Sequence, residues 1–518
     1  MNPWRALAVG VGVVESLRPS LVPRNTTHQA LVTAGCAATM AVVAGPSRGW
    51  SRRAGYVVLP LAVAVGAWRA DTHVRAQRRS FPAWDPRPQN SALAVAAGTL
   101  GAMALVGAPR GYLRGSRWAG AAVARVSGGS PARWSTAVGA AVGMSLATAA
   151  SIGARSALSG LREVGTGPDF ALMKRPDDPY VTGGPGSLVD YDTLARDGRR
   201  FVTFRTPADQ IRNVDGRAME PVRVYIGLHS ADTVEQRVDL AIAELERLGG
   251  FDRSNLLIMS PAGSGYAEYV AAEAVECFSR GDCASVVVQY GVLPSMLSLR
   301  RVGLGARTVR TLLDRVHQRL RELDRAPKVY MYGESLGARV AQEALQREPS
   351  RIRGTGQVTG LDALVSVGTP GGPSLRNELL HCPAVVHLDR WQQMAPDRTG
   401  QLWFLDHDAD PVTRWDGALA WRRPDWLRAP RGRNIPGGMA WMPLLTWWQV
   451  IFDLVFAAQQ QSGEFRSRGH DYRADLAPVL AAVVGHGAEV DAVAELLAER
   501  EVERDTLLQE TTASSLPH

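Results

Sequence analysis

Cysteine is scarce: the 518 residues hold four, Cys36, Cys277, Cys283 and Cys382. They form no C-x-x-C and no metal spacing with histidine, which removes a zinc framework. Cys277 and Cys283 are close enough in sequence to pair, but buried thiols are the simpler reading. Other signatures are missing too: there is no H-E-x-x-H, no G-x-x-x-x-G-K and no G-x-G-x-x-G between a strand and a helix. Neither a metal nor a nucleotide or flavin cofactor is therefore expected. Internal repeats and low-complexity segments are also lacking.

Lysine is absent from the first 160 residues, yet that third is basic, with 17 Arg against Glu15, Asp71 and Asp85. The other 358 residues hold 41 basic and 47 acidic groups, so the net charge of +8 belongs to the first third alone. Such a split points to nucleic acid or to an anionic membrane surface. The arginines cluster between apolar runs instead of interleaving with aromatics, so nucleic acid is set aside as a partner and the membrane kept.

Four uncharged runs carry that reading: His28–Gly45, Ala54–Trp68, Ser91–Pro109 and Trp134–Ala154. Each is about 15–21 residues, close to the roughly 20 that cross a hydrocarbon core as a helix. Arginines at Arg48, Arg52 and Arg53, from Arg69 to Arg87 and from Arg110 to Arg133 flank them as interfacial anchors do. Four membrane spans are expected, with a fifth over about Trp4–Leu17, and small residues suit close helix packing in lipid. Residues 1–160 thus read as an all-α transmembrane bundle, followed by a linker or draped segment over 161–220.

From residue 221 the periodicity changes. Val222–Leu228, Leu256–Ser260, Ser285–Tyr290, Lys328–Tyr332, Ala363–Val367 and Gln401–Leu405 are short runs rich in Val and Ile, the pattern of buried parallel strands. Thr233–Leu248 and Thr308–Leu323 between them repeat apolar residues at helical spacing. The alternation predicts an α/β domain over 221–488, a mostly parallel sheet with helices on both faces. A charged helix and a polar, disordered tail are expected over 489–518.

"MYGESLGARV" (331–340) places Gly333, Glu334, Ser335, Leu336 and Gly337 in G-x-S-x-G. The pattern alone is cheap, and "GMSLA" at 143–147 nearly repeats it inside an apolar run. Context decides: Lys328–Tyr332 reads as a strand and Leu336–Leu345 as a helix. A serine at that sharp turn presents its hydroxyl above the sheet, and the N–H of Leu336 points to where an oxyanion would form. Such a serine needs a base, and the base an orienting acid, in the order Ser, acid, His. "DHDADPV" offers Asp406, Asp408 and Asp410, with Asp410 at the turn before Pro-Val. His470, in a polar loop before a helix starting near Ala474, leads over His486 and His518. The loop "PAGSGY" after Ser260 supplies a second oxyanion donor, Ala262 or Gly263, with Leu228–Ala231 as the competing loop. Between acid and base, about 412–465, lie Trp415, Trp421, Trp426, Trp441, Trp447 and Trp448, which read as a lid or an acyl-binding wall.

Longer runs add a resemblance. Ser16–Arg24 ("SLRPSLVPR"), Gly186–Val202 ("GSLVDYDTLARDGRRFV"), Pro221–Thr233, Val286–Leu299, Tyr332–Ala338 and Trp421–Gly432 resemble bacterial, largely actinobacterial, membrane-associated α/β-hydrolases with a multi-span N-terminal domain. The match covers roughly 15–480. The family's "PTGTGW"-like loop stands here as "PAGSGY". The resemblance implies an α/β-hydrolase fold and hydrolase chemistry without naming a substrate. The expectation is a multi-pass membrane serine hydrolase, esterase- or lipase-like, that cleaves an apolar acyl ester or thioester. Ser335 would be nucleophile, His470 base and Asp410 orienter. An acyltransferase with the same triad, or a scaffold that binds lipid without turnover, are the other readings.

Overall fold

The computed structural model describes residues 3–45, 52–81, 90–127, 130–137, 169–293, 298–346, 352, 354–395, 400–428, 430–457, 462–485 and 488–514. They fall into two units. One joins residues 1–159 with 414–457; the other joins 160–413 with 458–518.

The second unit is built on seven parallel strands: β1 (Val222–Ile226), β2 (Asn255–Ser260), β3 (Cys283–Val288), β4 (Lys328–Glu334), β5 (Ala363–Val367), β6 (Val386–Leu388) and β7 (Leu402–Leu405), ordered β1-β3-β2-β4-β5-β7-β6. Six are the strands expected from the Val- and Ile-rich runs. Their residues are buried almost throughout because helices pack on both sides. The helices Val234–Arg247 and Leu336–Leu345 each contact Val302–Leu320, and Tyr269–Phe278, Arg473–Val484 and Val490–Ser514 form a second group. Thr233 caps the first of these helices in a reciprocal capping box with Gln236. The last helix runs on through Ser514, beyond the point where a disordered tail was expected. Val493 and Leu497 are fully buried in the core, and Arg500 and Arg504 both pair with the buried Glu273. Residues 515–518 lie outside the described residues.

The segment expected as a linker is instead part of this unit. Tyr180–Thr182 pairs with the edge of β1: the N–H of Thr182 donates to the Arg223 carbonyl (3.0 Å), and the N–H of Arg223 to that of Tyr180 (3.1 Å). An edge that would otherwise offer unpaired backbone groups is thereby covered. The helices Arg196–Thr203 and Ala208–Asp215 bury Phe201 and Ile211. Arg223 is wholly buried, held bidentately by Glu276 (2.6 and 3.0 Å) and by the Phe201 carbonyl at 2.7 Å.

The first unit contains α1 (Pro3–Ser16), α2 (Thr26–Val43), α3 (Arg52–Ser80), α4 (Ser91–Ser127) and the helix Leu445–Val455. The Trp-rich segment therefore folds with the N-terminal helices. Val32 and Cys36 of α2 share a small core with Leu445. The Trp448 indole N–H donates to Thr39 Oγ1 (2.8 Å), and the Gln449 amide to the Glu15 carbonyl (2.9 Å). Asp453 is the polar centre. It accepts from Ser20 Oγ and the N–H of Leu21, and it faces Arg24 at 3.5 Å and His28 at 3.2 Å, all buried. These partners come from the Ser16–Arg24 run and the first turn of α2.

Among the described residues one helical stretch, Ser91–Ala108 of α4, is long and apolar enough to cross a membrane. The expected multi-span bundle is not supported. Helix α1 has 14 residues, too few to span. Helix α2 carries a polar face of His28, Gln29 and Thr33, buried within the unit. In α3 the apolar stretch gives way to Arg69, Asp71 and Arg75. The run Trp134–Ala154 lies outside the described residues from 138 onward.

Removing the carboxylate of Asp453 strands the Arg24 guanidinium in a buried site. Asp453→Ala is expected to destabilise the helical unit by about 3–5 kcal/mol. Thermal unfolding, and faster proteolysis within 414–457 of the detergent-solubilised protein, would report it.

Candidate active site

Ser335 sits where β4 ends and the helix Leu336–Leu345 begins, at φ 55° and ψ −124°. A non-glycine residue with such a φ is strained by about 1–3 kcal/mol, and the strain persists only where neighbours fix the backbone. They do so here by contact of main chain with main chain. A Cβ on Gly337 would lie 2.2 Å from the Ser260 carbonyl oxygen, and one on Gly333 would lie 2.6 Å from the carbonyl oxygen of Gly337. The two glycines of the motif are thus required by space. Two hydrogen bonds complete the turn: the N–H of Ser335 donates to the Val367 carbonyl at the end of β5 (2.9 Å), and Ser260 Oγ to the Gly337 carbonyl (2.8 Å). Leu336 is the first helical residue, so its N–H has no acceptor within the helix.

The acid and base expected from the sequence meet. His470 Nδ1 and Asp410 Oδ2 are 2.7 Å apart, with Asp410 fully buried. The imidazole lies over Gly368, where a Cβ would come within 3.0 Å of its Cε1. Gly368 follows Val367, the residue that accepts from Ser335 N–H, so the nucleophile candidate and the histidine share the C-terminal edge of β5. Asp410 takes two more donors, the Tyr472 hydroxyl on Oδ2 (2.7 Å) and the Val412 N–H on Oδ1 (2.7 Å).

Burial alone would lower the basicity of His470. The charge and hydrogen bond of Asp410, aided by Glu334 and Asp471, outweigh it and push the imidazole up to about 9. Burial also raises Glu334 above the usual carboxylate range, against the pull of His470 and the hydrogen bond from the Tyr332 hydroxyl at 2.6 Å. Burial, then the charge of Glu334, pushes Glu268 up to about 8. Among the groups that raise His470, Asp410 is the dominant partner, with Glu334 and Asp471 behind it.

Of the two expected oxyanion donors, the structure engages one. The N–H of Ala262 donates within its own loop to the Tyr266 carbonyl (2.7 Å), whereas among the described residues no acceptor faces the N–H of Gly263. The loop leaves β2 next to β4, and Gly337 abuts its first residues, Ser260 and Pro261. The competing loop after β1 is separated from β4 by β3 and β2.

Other candidates have other partners. Asp406 pairs with Arg376 (2.6 Å) and accepts the N–H of Thr369 (2.6 Å). The N–H of Asp408 donates to Asp389 (2.6 Å). His486 and His518 lie outside the described residues. Among the described residues no group of His, Cys, Asp and Glu is placed to hold a metal ion.

Two residues escape sequence reading. Tyr472 bonds Asp410 and stacks on His407, with ring centroids 4.0 Å apart. His407, in the acid loop, is 2.8 Å from the Gly469 carbonyl through Nδ1 and 3.0 Å from Asp475 through Nε2. It thereby fastens the residue before His470 to the loop that bears Asp410. The only sequence signal was proximity, His407 three residues before the acid and Tyr472 two after the base.

Steric necessity at the elbow is testable apart from activity. Gly337→Ala is expected to lower stability by more than about 2 kcal/mol, since only backbone could move away. Gly303→Ala is the control, in a helix where the nearest atom to a new Cβ is 3.8 Å away, and it should be neutral or stabilising by up to about 1 kcal/mol. Paired thermal melts would distinguish the two.

Comparison with known proteins divides the chain between residues 204 and 222, not where the two units part. A profile described as an alpha/beta-hydrolase family matches residues 222–496, and one described as an alpha/beta-hydrolase family N-terminus matches residues 17–204. No curated protein and no solved structure matches the chain. With more than half of its length matched by the first profile, and a parallel sheet carrying a strand–serine–helix elbow, the chain belongs to the alpha/beta-hydrolase family.

Proposed function

We propose that the protein is a membrane-associated serine hydrolase that cleaves carboxylic esters or thioesters of apolar acyl groups. The observation that carries the reading is Ser335 on its strained elbow with the Asp410–His470 pair over the adjoining strand end. In the proposed step Ser335 Oγ bonds to the carbonyl carbon as its proton passes to His470 Nε2. The carbonyl π pair moves onto oxygen, where the N–H groups of Leu336 and Gly263 receive it. Collapse breaks the bond to the leaving group, which takes the proton from His470. Water then repeats the sequence on the acyl-enzyme.

Membrane association is supported by apolar side chains turned outward on α3 and α4: Leu61, Val63, Trp68, Leu100, Leu105 and Trp118 are all more than 60% exposed. An exposed apolar surface of this kind suits lipid contact, and Ser91–Ala108 has the length of a span. An apolar acyl chain is the substrate such a location would bring to the site.

A fluorophosphonate probe on the detergent-solubilised protein tests the chemistry. Labelling is expected in wild type, absent in Ser335→Ala and at least about 100-fold slower in His470→Ala. A folded wild type that takes no label would sink the proposal and leave a lipid-binding scaffold.

The pH profile follows from His470, which must be neutral to accept the proton. Because its basicity is raised to about 9, the acid limb of kcat/KM should lie well above pH 7. Glu334→Gln removes one of the raising charges, so it should move that limb to lower pH while keeping the alkaline plateau. A limb near pH 6 in wild type would contradict the assignment.

A further inference from the structure

The run Gly186–Val202 lies outside the sheet and holds none of the triad, yet one of its side chains reaches the oxyanion loop. Asp197, on the helix Arg196–Thr203 and 5% exposed, accepts from Ser264 Oγ at 2.7 Å. The same hydroxyl oxygen accepts the N–H of Tyr266 at 3.3 Å. Its one proton therefore goes to Asp197, and its orientation is set.

The rest of the loop is tied as closely. Gln289, just past β3, donates from Nε2 to the Ser264 carbonyl (2.7 Å) and to that of Gly291 (2.8 Å), while its Oε1 accepts the N–H of Leu228 (3.0 Å). The Tyr225 hydroxyl, from β1, donates to the Gly265 carbonyl at 2.9 Å. Gly265 has φ 99°, and a Cβ there would meet Tyr225 and Gln289 at 2.5 Å. Three segments singled out in the sequence, around Asp197, Tyr225 and Gln289, thus converge on Ser264 and Gly265.

What they control is the direction of one peptide. The Ala262 carbonyl accepts the N–H of Gly265 at 3.0 Å. In a planar trans peptide the N–H points opposite to the carbonyl. Fixing the Ala262 oxygen toward the inside of the turn therefore fixes the Gly263 N–H away from it. That geometry lasts only while Ser264 and Gly265 hold their places, and Ser264 is held at its side chain by Asp197.

We propose that Asp197 is a positioning residue for oxyanion stabilisation: through Ser264 it holds the Pro261–Tyr266 loop so that the N–H of Gly263 stays directed toward the developing charge. This rests on the serine-hydrolase reading of Ser335. The substrate is not touched by Asp197; the effect passes through one hydroxyl and one peptide plane.

The test uses the full chain in detergent, with p-nitrophenyl butyrate as substrate and the fluorophosphonate as a substrate-independent probe. In the labelling step the Ser335 Oγ–P bond forms, the P–F bond breaks, fluoride leaves and the serine proton goes to His470. Outright loss of an oxyanion donor costs about 10²–10³ in rate, so a loosened one should cost about 10–100-fold. Asp197→Ala and Ser264→Ala are each expected to lower kcat and the labelling rate by that factor, with KM within about twofold. The double variant should be no slower than either single one, because both remove the same link. Asp197→Asn retains a carbonyl acceptor of the same size and should recover most of the rate, which loss of the fold would not allow. Melting curves accompany each variant.

A labelled wild type whose Asp197→Ala variant keeps its kcat overturns this inference alone, as do single effects that multiply or a loss confined to KM. A wild type in which Ser335 takes no label overturns the hydrolase reading and this inference together.

Discussion

The site depends on backbone packed so closely against backbone that no side-chain carbon fits between. Ser335 keeps a left-handed φ because the start of its helix rests on the end of β2, with Gly337 against the Ser260 carbonyl. That contact requires β2 and β4 to be neighbours, which the parallel order β1-β3-β2-β4-β5-β7-β6 provides. It also sets the loop after β2 beside the elbow, so both N–H groups proposed to receive an oxyanion descend from one contact. An alanine's worth of extra volume there would separate nucleophile and loop together.

On the other side of the serine the ordering is polar. Asp410 is saturated by His470, Tyr472 and Val412, and His407 ties the Gly469 carbonyl to Asp475. Residues 407–412 and 469–475 are thereby laced into one hydrogen-bonded body, although more than fifty residues of chain run between them. Buried networks of this kind fix orientation well only when every member is satisfied. The arrangement suits a histidine that must present one particular nitrogen to a hydroxyl.

Much of this was legible beforehand, for physical reasons. Buried parallel strands must be nearly continuous Val and Ile runs, so six of seven could be read; β6, with three residues at an edge, is too short to leave a period. Ser335, Asp410 and His470 stand out as candidates because the elbow and the chain order constrain them, and the structure brings Asp410 and His470 within hydrogen-bond distance. Tyr472 and His407 could not, since nothing local marks a side chain that works by stacking and bonding across sixty residues. The span count was overread because Ala- and Gly-rich helices with a polar face, such as α2, resemble spans in composition and differ in what they bury. The Trp-rich segment reads as a lid or an acyl-binding wall because sequence shows its place between acid and base but not Asp453, whose partners sit more than four hundred residues earlier.

That last separation bears on the order in which the protein is made. Helix α2 leaves the ribosome early, with Val32 and Cys36 on a face whose partner is Leu445, and with Arg24 and His28 awaiting Asp453. At about 5–20 residues per second, roughly 400 residues of further synthesis take some twenty to eighty seconds. For that time the first helices hold an apolar seam and a buried-to-be arginine without their mates. The other unit, interrupted by the same segment, cannot bring His470 to Asp410 until the excursion has been made. Neither unit is a contiguous piece of chain, so the first waits for residues 414–457 and the second for the residues that follow them.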